Sequence, residues 1–208
     1  MGLSSPSPKK PPPGQFYARR WAIYAALGVP EVDLGNYILT VGGEVETPLA
    51  LTYDELLQGP VATLTRDFHC VTKWSIADVT WEGVPLRTLA ERAHVKPGMQ
   101  FVMFSCLEGY TTVVPLQDAL VEDAIVALRL NGKPLSHDQG FPARPFIPHL
   151  YGWKSAKWLN QIDFLPTYAD GYWERYGYHE RGNIWEEERF KGQGGRHMPH
   201  RGLGTRPL

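Results

Sequence analysis

Short β-prone runs, each closed within a few residues by glycine, proline or an Asn-Gly pair, follow one another along most of this 208-residue chain. "YILTVGGEV" alternates into a Gly-Gly turn, and "QFVMFSC" and "TTVVP" flank a Glu-Gly turn. "AIVALRLNGKPL" runs into Asn131-Gly132, and "VATLTRDFHC", "ARPFIP" and "KWLNQIDFLP" read as further strands. Helical character is confined to short pieces. "LTYDELLQG" has Thr52 three residues before Glu55, a capping box; "PLRTLAERAHVKPG" opens with Pro85 and closes at a Lys-Pro-Gly turn; "LQDALVED" is shorter still. Strands and helices do not alternate regularly, and no G-x-G-x-x-G follows a strand. A Rossmann sheet and dinucleotide binding therefore have no support. The expected fold is α+β, mixed and β-rich, with one domain over residues 15–190.

Charge placement narrows the partners. All 22 acidic residues fall between Glu31 and Glu188, so both ends of the chain are purely basic. The Pro/Ser/Lys leader, residues 1–14, and the Gly-rich basic tail, residues 191–208, are expected to be disordered. The scattered tail charges make a weak nucleic-acid footprint, and an acidic body repels a phosphate backbone. No nucleic-acid partner is expected. No apolar stretch approaches the roughly 18 residues that a membrane-spanning helix needs. The leader lysines precede no apolar core, and "RRWAIYAALGVP" is short and interrupted by Tyr24. The cytoplasm is thus the expected compartment. Two cysteines exclude a disulfide framework and a four-thiolate zinc site.

Within the acidic body, the stretch from Gln139 to Ile162 contains no Asp or Glu but holds Arg144, His149, Lys154 and Lys157. Arg144 follows a Gly-x-Pro turn, and Lys154 and Lys157 flank Ser155 in a loop opened by Gly152. A guanidinium, ammonium groups, a hydroxyl and loop N–H groups suit a phosphate. A solvated basic loop is the competing reading. No Walker pattern is present, so the anion need not be a nucleoside triphosphate.

Cys70, in "DFHCVTKWS", poses a separate question. A free cysteine is most often a buried structural thiol. A nucleophilic one needs a base, and His69, its neighbour along a strand, points to the opposite face. His-Cys without spacing is no zinc chelate either. A single thiolate can, however, ligate a metal whose other ligands come from a cofactor.

"TRDFHCVTKWS", "GFPAR", "YGWKSAKWL" and "YGYHERGNIWEEERF", in this order and spacing, resemble the catalytic domain of the sulfite oxidase family, most of all its compact bacterial branch, over roughly residues 31–190. The resemblance implies a molybdopterin-dependent oxidoreductase with molybdenum and one molybdopterin per chain. It implies that Cys70 is the catalytic residue and metal ligand, and that His69 and Cys106 lie along the cofactor. Gln139 and Arg144 would grip the pterin or its phosphate, and Lys154, Ser155, Ala156 and Lys157 would wrap the phosphate. The implied reaction is two-electron oxygen-atom transfer on a small substrate (sulfite, a sulfoxide or similar), with a separate electron donor or acceptor. The alternative is a non-catalytic module that binds or carries the pterin. Gln139 stands where the family has His or Asn, and Val71-Thr72-Lys73-Trp74 stands where the sulfite enzymes carry arginines, which argues against sulfite. Tyr151, Trp153, Tyr178 and Trp185 are expected as core or as walls of the mouth.

Overall fold

The computed structural model describes residues 10–192. The disorder expected of the leader and tail falls largely on residues 1–9 and 193–208, outside the described residues. In chain order the elements are β1 (Phe16–Tyr17), β2 (Ile38–Gly43), β3 (Leu49–Thr52), α1 (Tyr53–Gln58), β4 (Ala62–His69), β5 (Trp74–Pro85), α2 (Leu86–Ala93), β6 (Phe101–Cys106) and β7 (Thr111–Pro115). There follow α3 (Leu116–Ala119), β8 (Ile125–Leu130), β9 (Lys133–Pro134), β10 (Arg144–Phe146), β11 (Leu159–Leu165) and α4 (Tyr172–Arg175). Single 3-10 turns cover His137–Gln139 and Gly152–Lys154. No helix among the described residues is long and apolar enough to cross a membrane.

The strands form two sheets. One runs β1-β5-β8-β10, with β4 also on β5 and β9 also on β8; the other runs β3-β2-β11-β6-β7. Pairing is antiparallel except for β1 with β5 and β2 with β11. This mixed, strand-dominated architecture agrees with the expected α+β class. Period-2 patterning explains where the core sits. On β8, Val126 and Leu128 face the main core, which also takes Leu39 and Val41 of β2, Phe104 of β6, Ile162 and Phe164 of β11 and Leu89 of α2. The alternate β8 residues, Ile125 and Ala127, face a second apolar cluster with Phe68, Trp81 and Phe146. A strand buried on both faces reads as a continuous apolar run, as "AIVAL" does.

Local signals act where expected. The Thr52 side chain accepts from the Glu55 N–H, and the Glu55 carboxylate accepts from the Thr52 N–H at 2.8 Å. Thr52→Ala is expected to cost about 1 kcal/mol of folding stability, read from chemical denaturation. α2 ends sooner than the Lys-Pro-Gly turn suggests, because His94 already adopts a left-handed conformation with φ 51. The longest strand, β5, is missing from the sequence expectations. Its alternation is broken at Asp78, which has φ 52, and at Gly83, where a Cβ would lie 2.0 Å from the Val126 carbonyl oxygen. Only its neighbours, β4 and β8 along most of its length and β1 at its start, make this polar-interrupted segment a strand.

Candidate functional site

The β4–β5 hairpin presents Cys70. The Cys70 N–H donates to the Trp74 carbonyl at 2.9 Å, and the Lys73 N–H donates back to the Cys70 carbonyl at 3.1 Å. Lys73, with φ 76, supplies the left-handed residue that closes so tight a loop. Further bonds pin the tip. Gln15 donates to the Cys70 carbonyl at 3.1 Å, and the Arg189 guanidinium donates to the Val71 carbonyl. The thiol is half-buried, with its sulfur 3.2 Å from the Thr72 hydroxyl.

A second wall is built by the turns around β10. The left-handed Gly140 (φ 96) sits where a Cβ would meet Lys157 Cβ at 2.7 Å, so the 139–144 and 155–158 segments touch backbone to backbone. This brings Arg144 between them. Its Nε donates to the Ser155 hydroxyl at 2.9 Å and its Nη2 to the Ser155 carbonyl at 2.8 Å; Nη1 donates to the Gln139 carbonyl at 2.9 Å and to Gln139 Oε1 at 3.3 Å. The guanidinium lies over the rings of Phe68 (5.5 Å) and Trp81 (5.9 Å). Arg144 is 4% exposed, and burial lowers its pKa to about 10. No carboxylate offsets its charge among the described residues. Such a cation is costly unless an anion completes it.

Both walls face one cavity of about 540 Å³. Cys70, Thr72 and Tyr178 line it together with Gln139, Arg144, Ser155, Ala156 and Lys157. Lys157 is half-buried, lies 4.4 Å from the Trp158 ring and donates to the Asp138 carbonyl at 3.1 Å. Burial, and then the neighbouring Arg144 charge, lower its pKa to about 8. The backbone N–H groups of Ala156 and Lys157 donate to no acceptor among the described residues. Consecutive free N–H groups beside two cations form an anion-binding concavity.

The residues singled out from sequence do not all meet there. Cys70, Gln139, Arg144, Ser155, Ala156 and Lys157 do. Lys154 points into the protein, where its ammonium donates to Glu174 Oε1 at 2.5 Å and to the Val113 and Glu180 carbonyls at 2.6 Å. His69 is buried on the other face of its hairpin, with Nδ1 2.8 Å from the Ser75 hydroxyl, and it borders a different cavity with Tyr17 and His149. Cys106 lies in the main core behind the wall, where burial holds its thiol protonated. Trp153 and Tyr178 line the cavity, Tyr151 is fully buried, and Trp185 is 59% exposed beside the other cavity. Among the described residues no group of three or more His, Cys, Asp or Glu side chains could hold a metal. A metal at Cys70 therefore needs ligands from a cofactor.

Several lining residues carry no motif. Ala22, Ile23 and Tyr24 line the cavity from a segment without helix or strand, anchored by Trp21, whose ring packs 4.8 Å from Phe68. Tyr110 and Glu108 come from the β6–β7 turn, whose sequence announces only a reversal. The Tyr110 hydroxyl donates to the Trp153 carbonyl at 2.7 Å.

Comparison with known proteins adds to this geometry. Residues 26–173 match the family described as "Oxidoreductase molybdopterin binding domain". The chain is 41% identical over 180 residues to the uncharacterized oxidoreductase YuiH of Bacillus subtilis (strain 168), covering 86% of this chain and 91% of that one. It is 31% identical over 165 residues to the protein-methionine-sulfoxide reductase catalytic subunit MsrP of Campylobacter jejuni, covering 71% of this chain and 55% of the relative. Among solved structures, the sulfane dehydrogenase SoxCD of Paracoccus pantotrophus shares the fold, with a TM-score of 0.63 and 24% identity, covering 72% of this chain and 42% of that one.

Proposed function

Because the chain belongs to the molybdopterin-binding oxidoreductases of sulfite oxidase type, we propose that its Cys70 cavity holds one molybdopterin, with the Cys70 thiolate as the protein's ligand to molybdenum. The observation that carries this reading is the buried Arg144, an uncompensated guanidinium on the same cavity as a half-exposed thiol. The residues present fit the group. Arg144, Lys157 and the free N–H groups of Ala156 and Lys157 match a phosphate, Gln139 offers both a donor and an acceptor to a pterin edge, and a soft sulfur suits molybdenum. When bound, the cofactor supplies two-electron oxygen-atom exchange between water and substrate.

The protein's own part is to bind, orient and shield. The Cys70 loop fixes the sulfur through backbone hydrogen bonds. Ser155 orients Arg144 by accepting from Nε while donating to the Pro145 carbonyl at 2.5 Å. Trp21, Trp74, Trp153, Trp173 and Tyr178 surround the mouth with apolar surface that excludes water. The substrate is proposed to be a small oxygen-accepting or oxygen-donating molecule, such as a sulfoxide. Methionine sulfoxide reductases among the relatives support that class. The cytoplasm and a separate electron donor or acceptor complete the proposal.

Protein from a molybdenum-replete host is expected to carry molybdenum and pterin stoichiometric with the chain. Zinc in place of molybdenum would overturn the assignment. Arg144→Ala and Lys157→Ala should each weaken cofactor retention by roughly 10- to 150-fold, the loss of one charge-assisted partner. Lys133→Ala, on the exposed β9 strand, should retain cofactor normally. Equal losses in all three would mean that general surface charge, not a site, holds the anion.

A further inference from the structure

Two acidic residues, Glu108 and Asp138, line the cavity, and Glu108 is the one with a buried, unpartnered carboxylate oxygen among the described residues. Its position is set by sheet register. Cys106 of β6 pairs with Leu159 of β11, and the Leu107 N–H continues the ladder to the Trp158 carbonyl at 3.0 Å. Beyond that bond the β6–β7 turn carries Glu108, and the loop before β11 carries Lys157, to the lining of the same cavity. Opposite charges that share one desolvated cavity attract through space.

We propose that Glu108 is the built-in counter-ion of the anion cradle, competing with an incoming phosphate for Lys157, so that anion loading is coupled to protonation of this carboxyl. The proposal rests on the cradle assigned above. The groups that face Glu108 can be named. Lys157, from the loop before β11, attracts it, while Arg144 and Asp138 act in turn on Lys157. Cys106, at the end of β6, and Tyr110, in the turn before β7, are kept protonated and neutral by burial. Desolvation raises the Glu108 pKa to about 7, against the smaller lowering effects of its own backbone and Lys157. A dianion placed on Lys157 and Arg144 disfavours the ionised carboxylate further, so binding takes up a proton. Each unit by which bound anion raises that pKa corresponds to roughly a tenfold loss of affinity once Glu108 is ionised.

The test is calorimetric titration of the cofactor-free full-length chain with sulfate, which remains a dianion throughout the range, from pH 6 to 9. The wild type should lose affinity in two steps, near pH 7 as Glu108 ionises and near pH 8 as Lys157 loses its proton. Glu108→Gln should abolish the lower step, keep the upper one and bind sulfate about tenfold more tightly at pH 8. Glu108→Ala should do the same if charge, not shape, is responsible. Thermal melts give a check independent of any anion. A carboxyl with a raised folded-state pKa contributes stability at low pH that is lost as pH rises through that value. The melting temperature of Glu108→Gln should therefore gain on the wild type from pH 5 to pH 8. Superimposable wild-type and Glu108→Gln sulfate profiles overturn the proposal alone. A wild type whose sulfate affinity is absent, or indifferent to Arg144→Ala and Lys157→Ala, overturns the cradle and the proposal with it.

Discussion

Cys70→Ser is expected to abolish turnover while leaving the fold and most of the bound pterin in place. The hairpin does not depend on the sulfur, since its bonds run through the backbone of Cys70, Lys73 and Trp74 and through Gln15. The cradle comes from other segments of the chain and keeps Arg144 and Lys157. What changes is the donor, from a soft anionic sulfur to a hard hydroxyl. Groups that merely orient a metal ligand typically cost about 10–100-fold when removed, and the ligand itself should cost at least that. X-ray absorption at the molybdenum edge should count one fewer sulfur neighbour in Cys70→Ser and no change in Cys106→Ser. Loss of a sulfur in the Cys106 variant instead would reverse the two assignments.

Lys154→Met is expected to cost about 3–5 kcal/mol of folding stability, the range for removing one partner of a buried ion pair. Lys154 is 1% exposed and Glu174 0% exposed. Without the ammonium, Glu174 keeps only the Thr112 hydroxyl (2.8 Å) and the Trp153 indole N–H (3.3 Å), and the Val113 and Glu180 carbonyls lose a donor. Adding Glu174→Gln should recover part of the loss, because the stranded charge disappears along with its partner. Chemical denaturation of the cofactor-free chain reads both variants. A Lys154→Met chain that is as stable as the wild type, but fails to retain cofactor, would move this lysine from the core to the phosphate. Lys157, three residues on, has the opposite profile, half-buried on the cavity wall with its ammonium on the Asp138 carbonyl and over the Trp158 ring rather than in an ion pair.

Several features were determined by sequence alone because their causes are local. The capping box of α1, the Asn131-Gly132 reversal between β8 and β9 and the apolar runs of β6, β7 and β11 each depend on residues within a few positions of one another. The acid-free stretch likewise marked Arg144 and Lys157, since one missing charge type over so long a span leaves cations uncompensated. Direction and distance were decided only by the tertiary structure. Lys154 and Lys157 have the same chemistry three residues apart, yet the 3-10 turn at Gly152–Lys154 sends the first inward to Glu174, 20 positions away, and leaves the second on the cavity. His69 and Cys70 are adjacent, but the end of β4 puts the imidazole on one face and the hairpin tip puts the thiol in the pocket. β5 becomes a strand only through its pairing with β1, β4 and β8, and Glu108 and Lys157 reach one cavity only because β6 pairs with β11. A side chain's residue type is written in the sequence, but the groups that neutralise or expose it come from distant segments whose approach is fixed by packing and strand pairing.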